Sequence, residues 1–203
     1  RGLSFMLTAP NVWHMGCWLT AWTVWMSGTI PGASASPRLA AETLPFPAQA
    51  LDAAFDASGT LHIVYVKDSL TFYTRRTPEA QVFDPPTRID PGGPKVTVGG
   101  RERKPRLAVG PAGQLYVVWQ VGDQALRFVR STDGGETWTA VPVRDRGARR
   151  GIDMPTVATG HDGTVYVLWI DYRDPTPPDD MVAAHLYLDR SNDDGLSFGR
   201  DQS

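Results

Sequence analysis

One apolar run is written three times along the chain. Gly59-Thr60-Leu61-His62-Ile63-Val64-Tyr65 is matched by Gly113-Gln114-Leu115-Tyr116-Val117-Val118-Trp119 and by Gly163-Thr164-Val165-Tyr166-Val167-Leu168-Trp169. The three glycines stand 54 and 50 residues apart, and Pro105 and Pro155 each lie eight residues before one of them. Runs rich in Val, Tyr and Trp suit a pleated, buried surface and predict strands. A shorter strand is predicted before each run, at about 50–55, 105–109 and 155–159. A Gly-bearing turn joins the two, as in Pro111-Ala112-Gly113 and His161-Asp162-Gly163. A third strand follows a variable loop, at about 69–74, 125–130 and 184–190, and a fourth is visible at about 139–144. No amphipathic helical pattern occurs after residue 40.

The third strands of the last two units end in a shared turn. Ser131-Thr132-Asp133-Gly134-Gly135-Glu136-Thr137-Trp138 and Ser191-Asn192-Asp193-Asp194-Gly195-Leu196-Ser197-Phe198 both read Ser-x-Asp-x-Gly-x-x-aromatic, 60 residues apart. Asp133 and Asp193 suit acceptance of turn N–H groups, with Ser131 and Ser191 in the same role. Gly135 and Gly195 suit a backbone position with positive φ. Trp138 and Phe198 then fold back over the sheet. The first unit keeps a remnant, the Thr74-to-Phe83 stretch, with the aromatic but without Ser, Asp and Gly. Four short antiparallel strands in a repeat of about 50 residues are the unit of a β-propeller blade. A β-sandwich and a β-solenoid are the alternatives, and neither requires one hairpin signature at a fixed place in every unit. The expected fold is all-β, an incomplete β-propeller of about three four-stranded antiparallel blades at 48–98, 99–148 and 149–203.

These turns resemble the Asp boxes (BNR, bacterial neuraminidase repeats) of sialidases and sialidase-like propellers, over roughly residues 48–203. The resemblance implies a six-bladed sialidase-type propeller, of which three blades are here. On it the chain is expected to be a fragment of a longer protein, poorly folded or aggregating by itself because its sheet edges are open. Asp boxes also occur in sorting receptors, some glucanases and assembly factors. The implied activity is that of an exo-α-sialidase-like glycoside hydrolase on terminal acidic sugars. The alternatives are a non-catalytic propeller that binds glycans or proteins and a structural module.

Strand parity separates two faces. The first-to-second and third-to-fourth turns share one face, so the boxes stand beside Gly113 and Gly163 and read as structural. The second-to-third loops and the blade connections share the other. It gathers Asp123, Asp171, Arg173, Asp179 and Asp180 with Arg101, Arg103, Arg144, Arg146, Arg149 and Arg150. Loops clustered at one end of a rigid scaffold concentrate function. A guanidinium offers a bidentate fork to a sugar carboxylate. Sialidases carry an Arg-Ile-Pro motif before the Gly-Thr-Leu turn, and Arg103-Lys104-Pro105 keeps that spacing with Lys in place of Ile. The resemblance therefore implies Arg103 as a carboxylate ligand and Asp123, in the next loop, as the general acid. Asp171 and Arg173 in the long loop after Trp169 are further substrate-binding candidates, with an Asp171–Arg173 pair ordering the loop as the competing reading. The Tyr nucleophile, its Glu and two more arginines belong to later blades, so this piece alone is expected to be inactive.

The remaining composition narrows the picture. Twenty basic and 22 acidic residues leave a formal net charge of −2, without a basic tract of nucleic-acid size. His14, His62, His161 and His185 show no zinc spacing, and no metal or cofactor is expected. His62 and His185 read as packed or edge strand residues. The single cysteine, Cys17, excludes an internal disulfide. Val12–Ile30 is apolar, holds four of the seven Trp residues, and is followed by Ala33-Ser34-Ala35. That pattern predicts a signal peptide over 1–35, with an uncleaved membrane anchor or a mistranslated leader as the alternative, a linker over 36–47, and secretion or a cell-surface or periplasmic location. Carbohydrate is the expected partner, with no nucleic acid and no membrane contact beyond the signal segment.

Overall fold

The computed structural model describes residues 42–44, 46–93, 96, 104–122, 125–143, 151–172 and 184–199. The expected signal segment over 1–35 lies outside them, as does the first part of the linker. The compact unit begins at Leu44, earlier than the expected boundary at 48. Phe46 is the reason: its ring stacks on Tyr65 at 4.7 Å, with Phe83 edge-on at 6.1 Å.

The fold is all-β, an incomplete β-propeller of three antiparallel sheets. Sheet one is β1 (Ala50–Phe55), β2 (Leu61–Lys67), β3 (Leu70–Arg76) and β4 (Thr87–Arg88), paired in chain order. Sheet two is β5 (Arg106–Val109), β6 (Leu115–Val121), β7 (Ala125–Ser131) and β8 (Thr139–Val141), again in chain order. Sheet three holds β9 (Ile152–Thr159), β10 (Val165–Asp171) and β11 (His185–Ser191), three strands among the described residues. The sequence pattern did not show β4, which pairs only through Phe72↔Arg88 and Tyr73↔Thr87.

Second strands carry the core because each lies between neighbours in its own sheet. In β6 every residue but the last is buried, since both faces of sheet two are covered. Toward sheet one, Val117, Trp119 and Val129 pack with Val64, Val66 and Tyr73. Toward sheet three, Tyr116, Val118 and Phe128 pack with Val157, Val167 and Trp169. β10 instead alternates between buried and half-buried, the signature of a strand with one covered face. Trp119 and Trp169 sit at matching places in two sheets and are fully buried. Truncating either to Ala is worth about 3–5 kcal/mol.

The sheets share one polarity. The β1–β2, β5–β6 and β9–β10 turns and the tips after β3, β7 and β11 lie at one end. The ends of β2, β6 and β10 and the starts of β3, β7 and β11 lie at the other. At that second end β2 and β3 are joined by Asp68-Ser69, both with positive φ (52° and 61°), and Lys67 faces Leu70. Two positive-φ residues in a two-residue hairpin match the right-handed twist of the strands.

Candidate functional site

The two Asp boxes close with the same bonds. Gly135 N–H donates to Ser131 Oγ at 2.9 Å, and Gly195 N–H donates to Ser191 Oγ at 2.9 Å. Each Ser hydroxyl donates in turn to its Asp, at 2.7 Å in the first box and 2.5 Å in the second. The Asp carboxylates accept the N–H of Thr137 (3.0 Å) and of Ser197 (2.9 Å), and the hydroxyls of the same two residues at 2.5 Å. The turn pattern leaves Thr137 and Ser197 as variable positions, although a hydroxyl at both is a visible signal. Both carboxyls are held down at about 2, Asp133 chiefly by the Thr137 hydroxyl and Asp193 chiefly by the Ser191 hydroxyl. Among the described residues, the donors to these carboxylates come from within the turn, so the box reads as a structural unit.

Each box is also a joint between sheets. Register aligns Leu61, Leu115 and Val165, and opposite them Arg76, Ser131 and Ser191. Arg76, not Thr74, therefore holds the Ser position in sheet one, which corrects the reading of Thr74 as the start of a remnant box. Two residues further back, Thr74 Oγ1 donates to the Asp84 carbonyl at 2.6 Å instead. The same register makes Tyr73 the counterpart of Phe128. Trp138 meets Tyr73 edge-on at 5.2 Å, and Phe198 meets Phe128 edge-on at 4.8 Å. Gly135 lies against the Tyr73 ring, and Gly195 lies against Tyr116 and Phe128. The glycine and aromatic of one box thus clasp the third-strand aromatic of the preceding sheet.

Sheet one adds polar bonds to this clasp. Arg75 donates to the Gly134 carbonyl (2.6 Å), Glu136 (2.7 Å) and Asp84 (2.9 Å). Tyr73 Oη lies within hydrogen-bond distance of the Gly134 carbonyl, at 3.0 Å. Tyr73, Arg75, Asp84 and Glu136 line a cleft of about 280 Å³ together with Gly135, Pro85 and Thr87. Burial pushes the Tyr73 phenol well above its ordinary value.

The opposite end is described only in part. Arg103, Asp123 and Arg173 lie outside the described residues, as do Arg101, Arg144, Arg146, Arg149, Arg150, Asp179 and Asp180. What surrounds three of these positions is described. Lys104 and Pro105 lead into β5 at this end, and Gly122 precedes Asp123 directly. Gln120, buried in β6, donates through Nε2 to the Gly122 carbonyl at 2.9 Å and to the Ile152 carbonyl at 2.6 Å. It ties the start of the β6–β7 loop to the first residue of β9. Asp171 faces Ile152 in the ladder and is fully enclosed, accepting from the Trp169 indole at 3.3 Å. Asp90 takes Arg127 bidentately at 2.7 and 2.8 Å, and Asp52 accepts the Leu107 N–H at 3.0 Å. The sequence gives no sign of this role, because a lone Gln in a strand carries no pattern.

No family model and no curated protein sequence matches the chain. Among solved structures it is similar to an α-L-arabinanase of Penicillium chrysogenum complexed with arabinobiose. That likeness has 17% identity and a TM-score of 0.50, over 75% of this chain and 48% of the arabinanase. A protein of unknown function from Dyadobacter fermentans is similar at 13% identity and a TM-score of 0.48, over 73% and 52% of the two chains. A mutant of the NanB sialidase from Streptococcus pneumoniae is similar at 13% identity and a TM-score of 0.41, over 71% and 19%. The chain spans about half the length of the first two structures. At these identities the likeness bears on the fold alone.

Proposed function

We propose that the chain supplies three blades of a secreted, sialidase-like glycoside hydrolase of the exo-α-sialidase type, acting on terminal acidic sugars of glycans. The observation that carries this reading is the pair of Asp boxes with matching internal bonds, each closing one blade onto the one before. The sugar held by the similar arabinanase supports carbohydrate as the ligand class. On this reading the site lies at the end opposite the boxes. Arg103 and Arg173 supply guanidinium groups to the sugar carboxylate, Asp123 is the acid, and enclosed Asp171 shapes the loop edge. Gln120 supports the assignment by anchoring the loop that leads to Asp123.

A second reading, a non-catalytic Asp-box propeller that binds glycans or proteins, is favoured by Lys104 where the sialidase motif has Ile. One experiment separates them, on the protein that carries this chain. Turnover of a fluorogenic sialoside and binding to a sialylated glycan array are measured for the wild type and Arg103→Ala. Turnover that collapses in the variant upholds the enzyme. Binding without turnover selects the second reading, and a protein with neither sinks both.

A further inference from the structure

In sheet two the position pair Tyr116 and Phe128 is aromatic and stacked at 6.1 Å. Register puts His62 and Tyr73 at the same places in sheet one, with rings 5.9 Å apart and nearly parallel. The packing is kept, but a hydrogen-bonded chain now runs through it. His62 Nε2 lies 3.2 Å from Asp56 Oδ2, His62 Nδ1 lies 2.7 Å from Tyr73 Oη, and Tyr73 Oη lies 3.0 Å from the Gly134 carbonyl. The histidine is 2% exposed.

Counting protons shows what is unusual. Asp56 Oδ2 and the Gly134 carbonyl are both acceptors, so the three contacts between them need three protons. A neutral imidazole and a phenol supply two. If Nε2 holds the ring proton, the Tyr73 proton goes either to Nδ1 or to Gly134, and the other contact is left without one. If Nδ1 holds it, the chain runs on to Gly134, but a bare Nε2 lone pair faces the Asp56 carboxylate. Only the imidazolium fills all three contacts.

We propose that Asp56, His62 and Tyr73 form a proton-operated latch between the first two sheets. Proton uptake at His62 turns the Tyr73 hydroxyl proton onto the Gly134 carbonyl of the neighbouring Asp box. The charged groups facing the histidine come from every element around it. Asp56, in the β1–β2 turn, attracts the added charge. Arg75, on β3, opposes it. Asp84, before β4, and Glu136, in the box, sit on Arg75 and temper it. Burial works against the Asp56 charge, but bonds from Ser58, Thr60 and His62 outweigh it and hold that carboxyl down at about 2. Burial is the largest influence on His62 and lowers its pKa below the ordinary 6.5.

The sign follows from linkage. The unfolded chain takes up the proton first as pH falls, so the His62 contribution to stability is full above about 6.5 and fades below it. The latch closes at a lower pH, below the depressed folded value. Acidification therefore weakens the fold as a whole while it strengthens this one joint.

The test is ¹⁵N NMR on the full protein between pH 4 and 8, reading the His62 ring nitrogens and the Gly135 amide, which adjoins the Gly134 carbonyl. The expected result is a common midpoint below 6.5 for both. In Tyr73→Phe the ring still titrates while the Gly135 shift goes flat. The double variant His62→Tyr/Tyr73→Phe installs the pair that sheet two already carries. It keeps the packing, and its Gly135 shift is also flat. A Gly135 shift that ignores His62 in the wild type would overturn the latch. So would one that follows it equally in Tyr73→Phe, or a ring that stays neutral down to pH 4.

Discussion

Adding one methyl group to a box glycine tests the joint between sheets. Gly135 has φ +95°, and a Cβ there would overlap the Tyr73 ring, 2.5 Å from Cζ and 2.7 Å from the hydroxyl. The ring has no easy retreat, because its hydroxyl is bonded to Gly134 and His62 and its edge meets Trp138. Two costs therefore add in Gly135→Ala. Placing a non-Gly residue at positive φ costs about 1–2 kcal/mol. Forcing a methyl into a packed contact costs about 1–3 kcal/mol more. Gly113→Ala isolates the first cost, since φ is +83° there and nothing lies within 4 Å of the added carbon. Gly195→Ala falls between, with its nearest contacts at 3.1–3.3 Å on Tyr116 and Phe128. Urea unfolding of the three variants should rank the losses Gly113, Gly195, Gly135. The last should exceed the first by about 1–3 kcal/mol, several degrees in Tm for a chain of this size. Equal losses at Gly113 and Gly135 would show that the box glycine does not touch the preceding sheet.

Other perturbations give expected outcomes of their own. Ser131→Ala strips the acceptor from the Gly135 N–H and should cost about 1–3 kcal/mol by denaturant melts, whereas Ser58→Ala, on an exposed turn, should cost well under that. Asp133 and Asp193 sit below their ordinary value of 3.8, at about 2, so the stability they add is complete above about pH 4 and is lost as pH falls toward 2. Replacing both by Asn should flatten the acid limb of the stability profile over that window. Gln120→Leu removes two carbonyl partners and should speed hydrogen exchange around 151–153 with little change at the boxes. Unchanged exchange there would mean that Gln120 anchors nothing.

The repeat was legible because it is local. Strand runs, turn glycines and the Ser-x-Asp-x-Gly turn are each contained in eight residues or fewer, and their spacing alone implied blades. β4 leaves no trace in the sequence, because two residues between prolines and a turn carry no periodicity. The offset between Thr74 and Arg76 escaped because only the pairing partner of Leu61 reveals which residue holds the Ser place. Contacts such as Gly135 on Tyr73, or Gln120 on Ile152, join residues on different sheets, and their existence depends on how the sheets stack. His62 reads in sequence as one more strand residue. Its chemistry comes from Asp56 across a turn and Tyr73 across the ladder. Strand parity gives an end of the sheet, not the group that a side chain there meets. Asp171 shows the difference, being at the expected end and yet fully enclosed.

The clasp between a box aromatic and the preceding sheet is measured most directly by a double-mutant cycle on Tyr73 and Trp138, with Leu at each position singly and together. An edge-on aromatic pair at 5.2 Å predicts a coupling of about 0.5–1.5 kcal/mol. Strictly additive losses, within about 0.3 kcal/mol, would contradict it.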